Sequence, residues 1–303
     1  MRERGRKRWW VSGCLIVLAF MLLAGGAIAV LVWRSVRSTD PQSTRLGDLA
    51  SNAIPQVTAK AGPGALETGS AEPLRVRLEL DSCEVYIEPA LPGEGLGVEA
   101  HYDAGDYRIE EIVDDPGTYR LRFLVDSSRL ITGIKQGLRG GQPQLRIRLP
   151  VDRPIDFSLL QRNGGAIVDL SGMTLTAAAF DIGGALLKVD ADEPLRGTLE
   201  RFEVKGTQGG VVLESLDLIQ PRHVAVDFSM GQAQLDFRGT WRADARVDLA
   251  IGMADVVVRL PREAQVRGIG DGTLSAPGEF EIAPPTLTFS VETARRGQLR
   301  VFE

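Results

Sequence analysis

Residues 228–258 read FSMGQAQLDFRGTWRADARVDLAIGMADVVV, and one frame occurs twice within them. Phe228-Ser-Met230-Gly231 leads into Ala233, Leu235 and Phe237. Leu249-Ala-Ile251-Gly252 leads into Ala254, Val256 and Val258. Small or apolar residues thus stand two, four and six places after each glycine. Period two is the signature of a half-buried strand, because successive side chains point to opposite faces. A glycine between alternating runs marks a bend where a Cβ would clash or a positive φ is needed.

The frame extends upstream. Gly164 precedes Ala166/Val168/Leu170, Gly183 precedes Ala185/Leu187/Val189, and Gly209 precedes Val211/Leu213/Ser215. With Gly231 and Gly252, the spacings are 19, 26, 22 and 21 residues. A repeat of this length, holding two short strands, is what stacked coils require: one coil cannot bury its inward row alone, whereas stacked coils merge their rows into one core. The expectation is an all-β chain built as a β-solenoid, single-stranded β-helix-like. An antiparallel β-sandwich with evenly spaced turns fits the same periodicity. Alternation is also clear at Leu74/Val76/Leu78/Leu80, Val85/Ile87, Leu121/Phe123/Val125 and Leu145/Ile147/Leu149.

At the other end of the chain the pattern changes. Val11–Trp33 carries no charge over a length that, at 1.5 Å per residue, crosses a hydrocarbon core of about 30 Å. Trp9, Trp10 and Trp33 flank it, as interfacial indoles do. Arg2, Arg4, Arg6, Lys7 and Arg8 precede it, against Arg34 and Arg37 after it, which puts the N-terminus in the cytoplasm and the rest outside. Ala27-Ile28-Ala29 has the form of a signal-peptide cleavage site, so a cleaved leader is the alternative to an anchor. Either way the remainder is exported. Residues 34–72, rich in Pro, Gly, Ala, Ser and Thr, read as a linker. The predicted organisation is 1–10 cytoplasmic and basic, 11–33 membrane helix, 34–72 linker, and 73–303 a β-rich domain, either whole or as halves of about 73–160 and 161–303.

The net charge of −5 argues against a nucleic-acid partner, and the basic N-terminus is explained by topology and anionic inner-leaflet lipid. Two cysteines, Cys14 and Cys83, make no disulfide framework.

Val247-Asp-Leu-Ala-Ile-Gly-Met-Ala-Asp-Val-Val-Val-Arg-Leu-Pro261-Arg-Glu-Ala-Gln-Val266 resembles the strand–glycine–strand–LP segment of LiaF-like proteins, the cell-wall-active antibiotic response family. Pro285–Val291 and Gly297–Val301 resemble that family's closing coil. Leu145–Phe157, running into Gly164–Leu170, repeats the pattern and is similar to the related toastrack, adhesin-like ectodomains. The resemblance covers 73–303, most clearly 145–303. It implies a β-solenoid ectodomain and, by family role, restraint of a membrane sensor kinase during envelope stress. Asp81-Ser-Cys83 stands where the pattern has a glycine, Arg295-Arg296 precedes the last one, and a single membrane segment replaces several.

Chemistry-bearing motifs are sparse. His101 and His223 lack a second His or Cys at metal-ligand spacing. No Gly-x-Ser-x-Gly elbow and no Walker A sequence occurs. Gly268-Ile-Gly270-Asp-Gly272 reads as a coil corner, since no helix follows to bind an anion. Asp190-Ala-Asp192-Glu193 has oxygens of the kind calcium prefers but no calcium-binding nonapeptide around them, and Glu110-Glu111 with Asp114-Asp115 reads as a solvated acidic stretch. The sequence therefore predicts a non-enzymatic envelope protein without metal or cofactor. It would act by presenting a surface to an envelope protein, a sensor kinase or a like subunit. A periplasmic bridge that carries lipid or glycolipid is the alternative.

Overall fold

Alternating apolar residues bury one face of a strand, and Leu74, Val76, Leu78 and Leu80 are all buried in the computed structural model. The structure describes residues 72–102, 106–113, 117–125, 143–268, 285–294 and 297–302. The predicted cytoplasmic segment, membrane helix and linker, with Arg6, Lys7, Arg8, Trp9, Trp10 and Trp33, lie outside the described residues. So do Asp114, Asp115, Gly270 and Gly272. No helix among the described residues is long and apolar enough to cross a membrane.

The chain is all-β. Its strands are β1 (Leu74–Pro89), β2 (Gly97–His101), β3 (Tyr107–Val113), β4 (Thr118–Val125), β5 (Gln144–Leu149), β6 (Ile155–Asp169) and β7 (Leu175–Asp190). There follow β8 (Arg201–Gly206), β9 (Gly210–Leu213), β10 (His223–Asp236), β11 (Ala245–Arg259), β12 (Gln265–Arg267), β13 (Thr286–Thr293) and β14 (Gln298–Phe302). The single helical turn among the described residues is α1 (Leu216–Ile219). All the strands belong to one sheet of fourteen.

Pairing is parallel along the main path β1–β6–β7–β10–β11, with β8 and β9 bridging β7 to β10. At the far end β13 and β14 both pair with β11. Antiparallel pairing occurs only at β2–β5 and β3–β4 among the described strands, so the successive long strands do not alternate in direction as an antiparallel sandwich would require.

Each long strand changes phase at its middle. In β10, Val224, Val226 and Phe228 are buried, then Ala233 and Leu235. In β1 the inward row runs Leu74 to Leu80 and resumes at Cys83, Val85 and Ile87. Two consecutive outward residues therefore stand at the bend, and both arms bury their side chains on the inside. Register aligns the inner corner positions as Cys83, Gly164, Ala185, Gly209, Gly231 and Ala254. All are small, because the two inward faces converge there.

The corner is built in two ways. At Gly231 the backbone has φ +119°, and an added Cβ would lie 2.1 Å from the carbonyl oxygen of Gly209 in the layer below. Gly164 and Gly209 take the same form. The layers with Ala185 or Ala254 at the corner instead place a glycine two residues earlier. A Cβ on that residue, Gly183, would lie 2.5 Å from the oxygen of Arg162. The five glycines of the sequence frame thus occupy two columns, two residues apart. Counted at the true corner from Gly164 to Ala254, the layers are 21, 24, 22 and 23 residues long, more even than the glycine spacings. Cys83 fills the corner without a glycine because the layer beyond it is two separate strands, β4 and β5.

The interior is filled. Phe157, Phe180 and Phe202 are fully buried, with successive ring centroids 5.7 and 5.5 Å apart. Each buried side chain of this kind contributes roughly 1.5–3 kcal/mol. One polar side chain interrupts the inward rows: Gln161, fully buried, where neighbouring layers place Leu80 and Ile182. The two hydrogens of its Nε2 are shared among the backbone oxygens of Cys83 (2.9 Å), Asn163 (3.2 Å) and Gly165 (3.1 Å), while its Oε1 is buried without a partner.

Candidate interaction surface

Alternation fixes what faces outward as firmly as what faces in. The residues singled out in the sequence do not converge. His101 ends β2, exposed. His223, on β10, has its Nε2 2.8 Å from Asp248 Oδ2 on β11, and Arg246 Nε reaches the same carboxylate at 3.0 Å. Burial raises the Asp248 carboxyl, but the hydrogen bonds from His223 and Arg246 and the adjacent positive charge outweigh it, and the net shift is downward. Asp190 Oδ1 accepts from Ala191 N–H and Ser215 Oγ–H, which closes a turn, while Asp192 and Glu193 are exposed. Glu110 pairs with Arg122 across β4, and Glu111 accepts from the Tyr119 hydroxyl at 2.8 Å. Gly268 takes φ +85° beside Phe289. Among the described residues no group of three or more His, Cys, Asp or Glu is arranged to hold a metal ion.

Cys83 is the free cysteine among the described residues, and its surroundings disable it. Burial first, then the charges of Asp81 and Glu84, push its thiol up to about 12. A thiol kept protonated at neutral pH neither attacks nor ligates.

Nine large apolar side chains are exposed among the described residues, and four of them flank the corner on β6, β7, β10 and β11 as an interrupted band. Met253 (53%) and Met230 (41%) stand one residue before the corner, Leu186 (63%) one after it and Ile167 (48%) three after it. Met230 and Met253 are register neighbours on β10 and β11. Leu186 lies over Gly210, where a Cβ would be 2.4 Å from its Cδ2. Three ion pairs lie near it: Lys188 with Glu214 at 2.8 Å, Arg162 with Asp81 at 3.0 Å, and Asp255 with Arg300. Charges that are already paired compete less with desolvation of exposed apolar side chains than lone ones do.

Concave features are shallow. One depression of about 340 Å³ crosses the outer face over Ala225 and Ala250. Another, about 410 Å³, lies at the turns beside Asp217, Arg222 and Arg242. Its wall includes Gln220, which with Ser215 brackets α1 in left-handed backbone, at φ 49° and 52°.

Sequence reasoning passed over Gln161 and the exposed band. Gln161 was visible as a polar residue in phase with Phe157 and Leu159. The band carries no such signal, since Met230, Met253 and Leu186 look like further core residues until the corner shifts their phase.

Searches of protein-family models and of curated proteins give no match. Among solved structures, a candidate cell adhesion protein from Clostridium sporogenes is 14% identical to this chain, with a TM-score of 0.34. The match covers 76% of this chain and 91% of the other. So distant a likeness carries no weight for function.

Proposed function

We propose that this chain is a non-enzymatic, membrane-anchored protein of the cell envelope, whose layers stack as a β-solenoid and present their outer side to a protein partner. The observation that carries the proposal is the interrupted band of Leu186, Ile167, Met230 and Met253, exposed on the outer side of parallel strands with three ion pairs near it. The solenoid reading is supported by parallel, in-register pairing of strands one layer apart. The anchor rests on the sequence of residues 11–33, and the charge bias around it assigns the β-rich domain to the extracytoplasmic side of the cytoplasmic membrane. A membrane sensor kinase is the partner class that the LiaF-like resemblance implies. Lipid carriage calls for an open apolar interior, and here Phe123, Phe157, Phe180, Phe202 and Phe228 occupy it.

Affinity capture of the full chain from membranes, beside its Leu186→Asp and Met253→Asp variants, tests the reading. A membrane protein retained by the parent and lost from both variants supports it. The same proteins retained by all three chains would remove the band as the contact surface. Recovery of the chain in the soluble fraction after a carbonate wash would remove the anchor.

A further inference from the structure

Four sulfur atoms fall within the described residues, and the fold sorts them into two classes. Met173, between β6 and β7, is fully buried, and Cys83 is buried at the inner corner with its thiol held protonated. Met230 and Met253 are exposed. They are register neighbours on β10 and β11, where adjacent backbones lie about 4.8 Å apart. Each stands in the outward position just before the corner, outside the inward rows that hold the layers together. A thioether carries no proton to lose before it reacts, so access to solvent governs its oxidation. A dissolved oxidant therefore reaches this pair ahead of Met173 and Cys83.

We propose that Met230 and Met253 form a paired sulfoxidation site, at which hydrogen peroxide adds one oxygen to each thioether and turns this part of the outer band polar. The sulfur lone pair attacks one peroxide oxygen, the O–O bond breaks, and the other oxygen leaves as water with both protons. Sulfur gives up two electrons and the peroxide takes them. The product is a polar, chiral side chain that forfeits the apolar contact a thioether makes. In a core, that change disrupts packing. On the outward positions of β10 and β11 the new oxygen enters water, so the surface changes while the layers stay as they are. Because the two residues adjoin, both oxidations alter one patch. Release of a bound protein on oxidation rests on the band being the contact surface, as proposed above. The oxidation itself does not, so the two are read separately.

The full-length chain is treated with hydrogen peroxide and its methionine peptides are followed by mass spectrometry. Met230 and Met253 are expected to gain an oxygen about tenfold or more faster than Met173, with the unfolding midpoint unchanged once both are converted. In capture from membranes, the oxidised parent should lose the proteins that Leu186→Asp also loses. A double variant, Met230→Leu with Met253→Leu, keeps the surface apolar without a thioether and should retain them through the same treatment. Oxidation of Met173 at the same rate would overturn the site, as would a midpoint that falls in step with conversion of the pair. Equal capture by oxidised and untreated parent, or equal loss from the double variant, would overturn its part in release. If Leu186→Asp loses no protein, the band reading fails, and the oxidation rates and midpoint still decide the site.

Discussion

The side-chain amide of Gln161 donates to the backbone oxygen of Cys83 at 2.9 Å, joining two corners in adjacent layers whose residues are 78 apart in the chain. The same Nε2 also lies within hydrogen-bond distance of the oxygens of Asn163 and Gly165, so its two hydrogens are shared among three carbonyls at the bend. Gln161→Leu keeps the volume and removes the donor. The lost donor costs about 1–3 kcal/mol, and removal of the Gln161 Oε1, which is buried without a partner, offsets part of it. Stability should therefore fall by about 1 kcal/mol, read as a lower denaturant midpoint at unchanged slope. No loss would mean that the amide adds nothing net at this corner.

Gly231 and Gly165 separate two roles of glycine. At Gly231 a Cβ meets the oxygen of Gly209 at 2.1 Å with φ already positive, whereas at Gly165 it meets nothing within 4 Å. Gly231→Ala should lose about 4 kcal/mol or more, since backbone in the next layer has to shift. Gly165→Ala should change stability by at most about 1 kcal/mol, toward greater stability. Thermal unfolding of the pair checks both, and equal effects would contradict the corner geometry.

Cys83 links stability to alkaline pH. Burial first, with Asp81 and Glu84 second, raises its thiol from 9.0 to about 12. A raised folded value means that the stabilisation is complete below the unfolded value of 9.0 and is lost as pH rises toward about 12. Tyr119 acts in the same sense, shifted upward by burial and by its bond to Glu111. The denaturant midpoint should fall between about pH 9 and 11, less steeply for Cys83→Ala than for the parent. A thiol reagent at about pH 8 should label Cys83 only as the chain unfolds.

Asp236, which ends β10, and Asp217 in α1 respond to acid with opposite signs. Burial raises Asp236, but hydrogen bonds from Arg238 and the charge of Arg259 prevail and the net shift is downward. Its contribution is present above 3.8 and is lost as pH falls through the lower folded value. Asp217 is shifted upward, chiefly by burial, against the backbone N–H groups that it accepts. Its contribution is present below 3.8 and lost at neutral pH. At about pH 7, Asp236→Asn should lower the unfolding midpoint and Asp217→Asn should raise it. The same sign in both would refute the assignment.

Much of this architecture is readable in the sequence, because alternation and glycine spacing record local geometry. Val224, Val226, Phe228, Ala233 and Leu235 announce their faces in order. What cannot be read is the column to which each glycine belongs. Gly183 and Gly231 look equivalent, yet one precedes the corner and the other occupies it, and the difference lies in which carbonyl of the neighbouring layer comes close. Pairing between β1 and β6 is equally hidden, since four strands intervene in the chain. No candidate reaction centre was legible, and the exposed band became visible only when the corner shift turned Leu186, Met230 and Met253 outward.

Each strand in this sheet touches only the layer on either side of it. Heat applied to such a ladder loosens the outermost rungs first, and a front then travels inward. Amide protons in β12, paired on one side among the described strands, should therefore exchange with solvent long before those of β6 and β7, which are clamped from both sides.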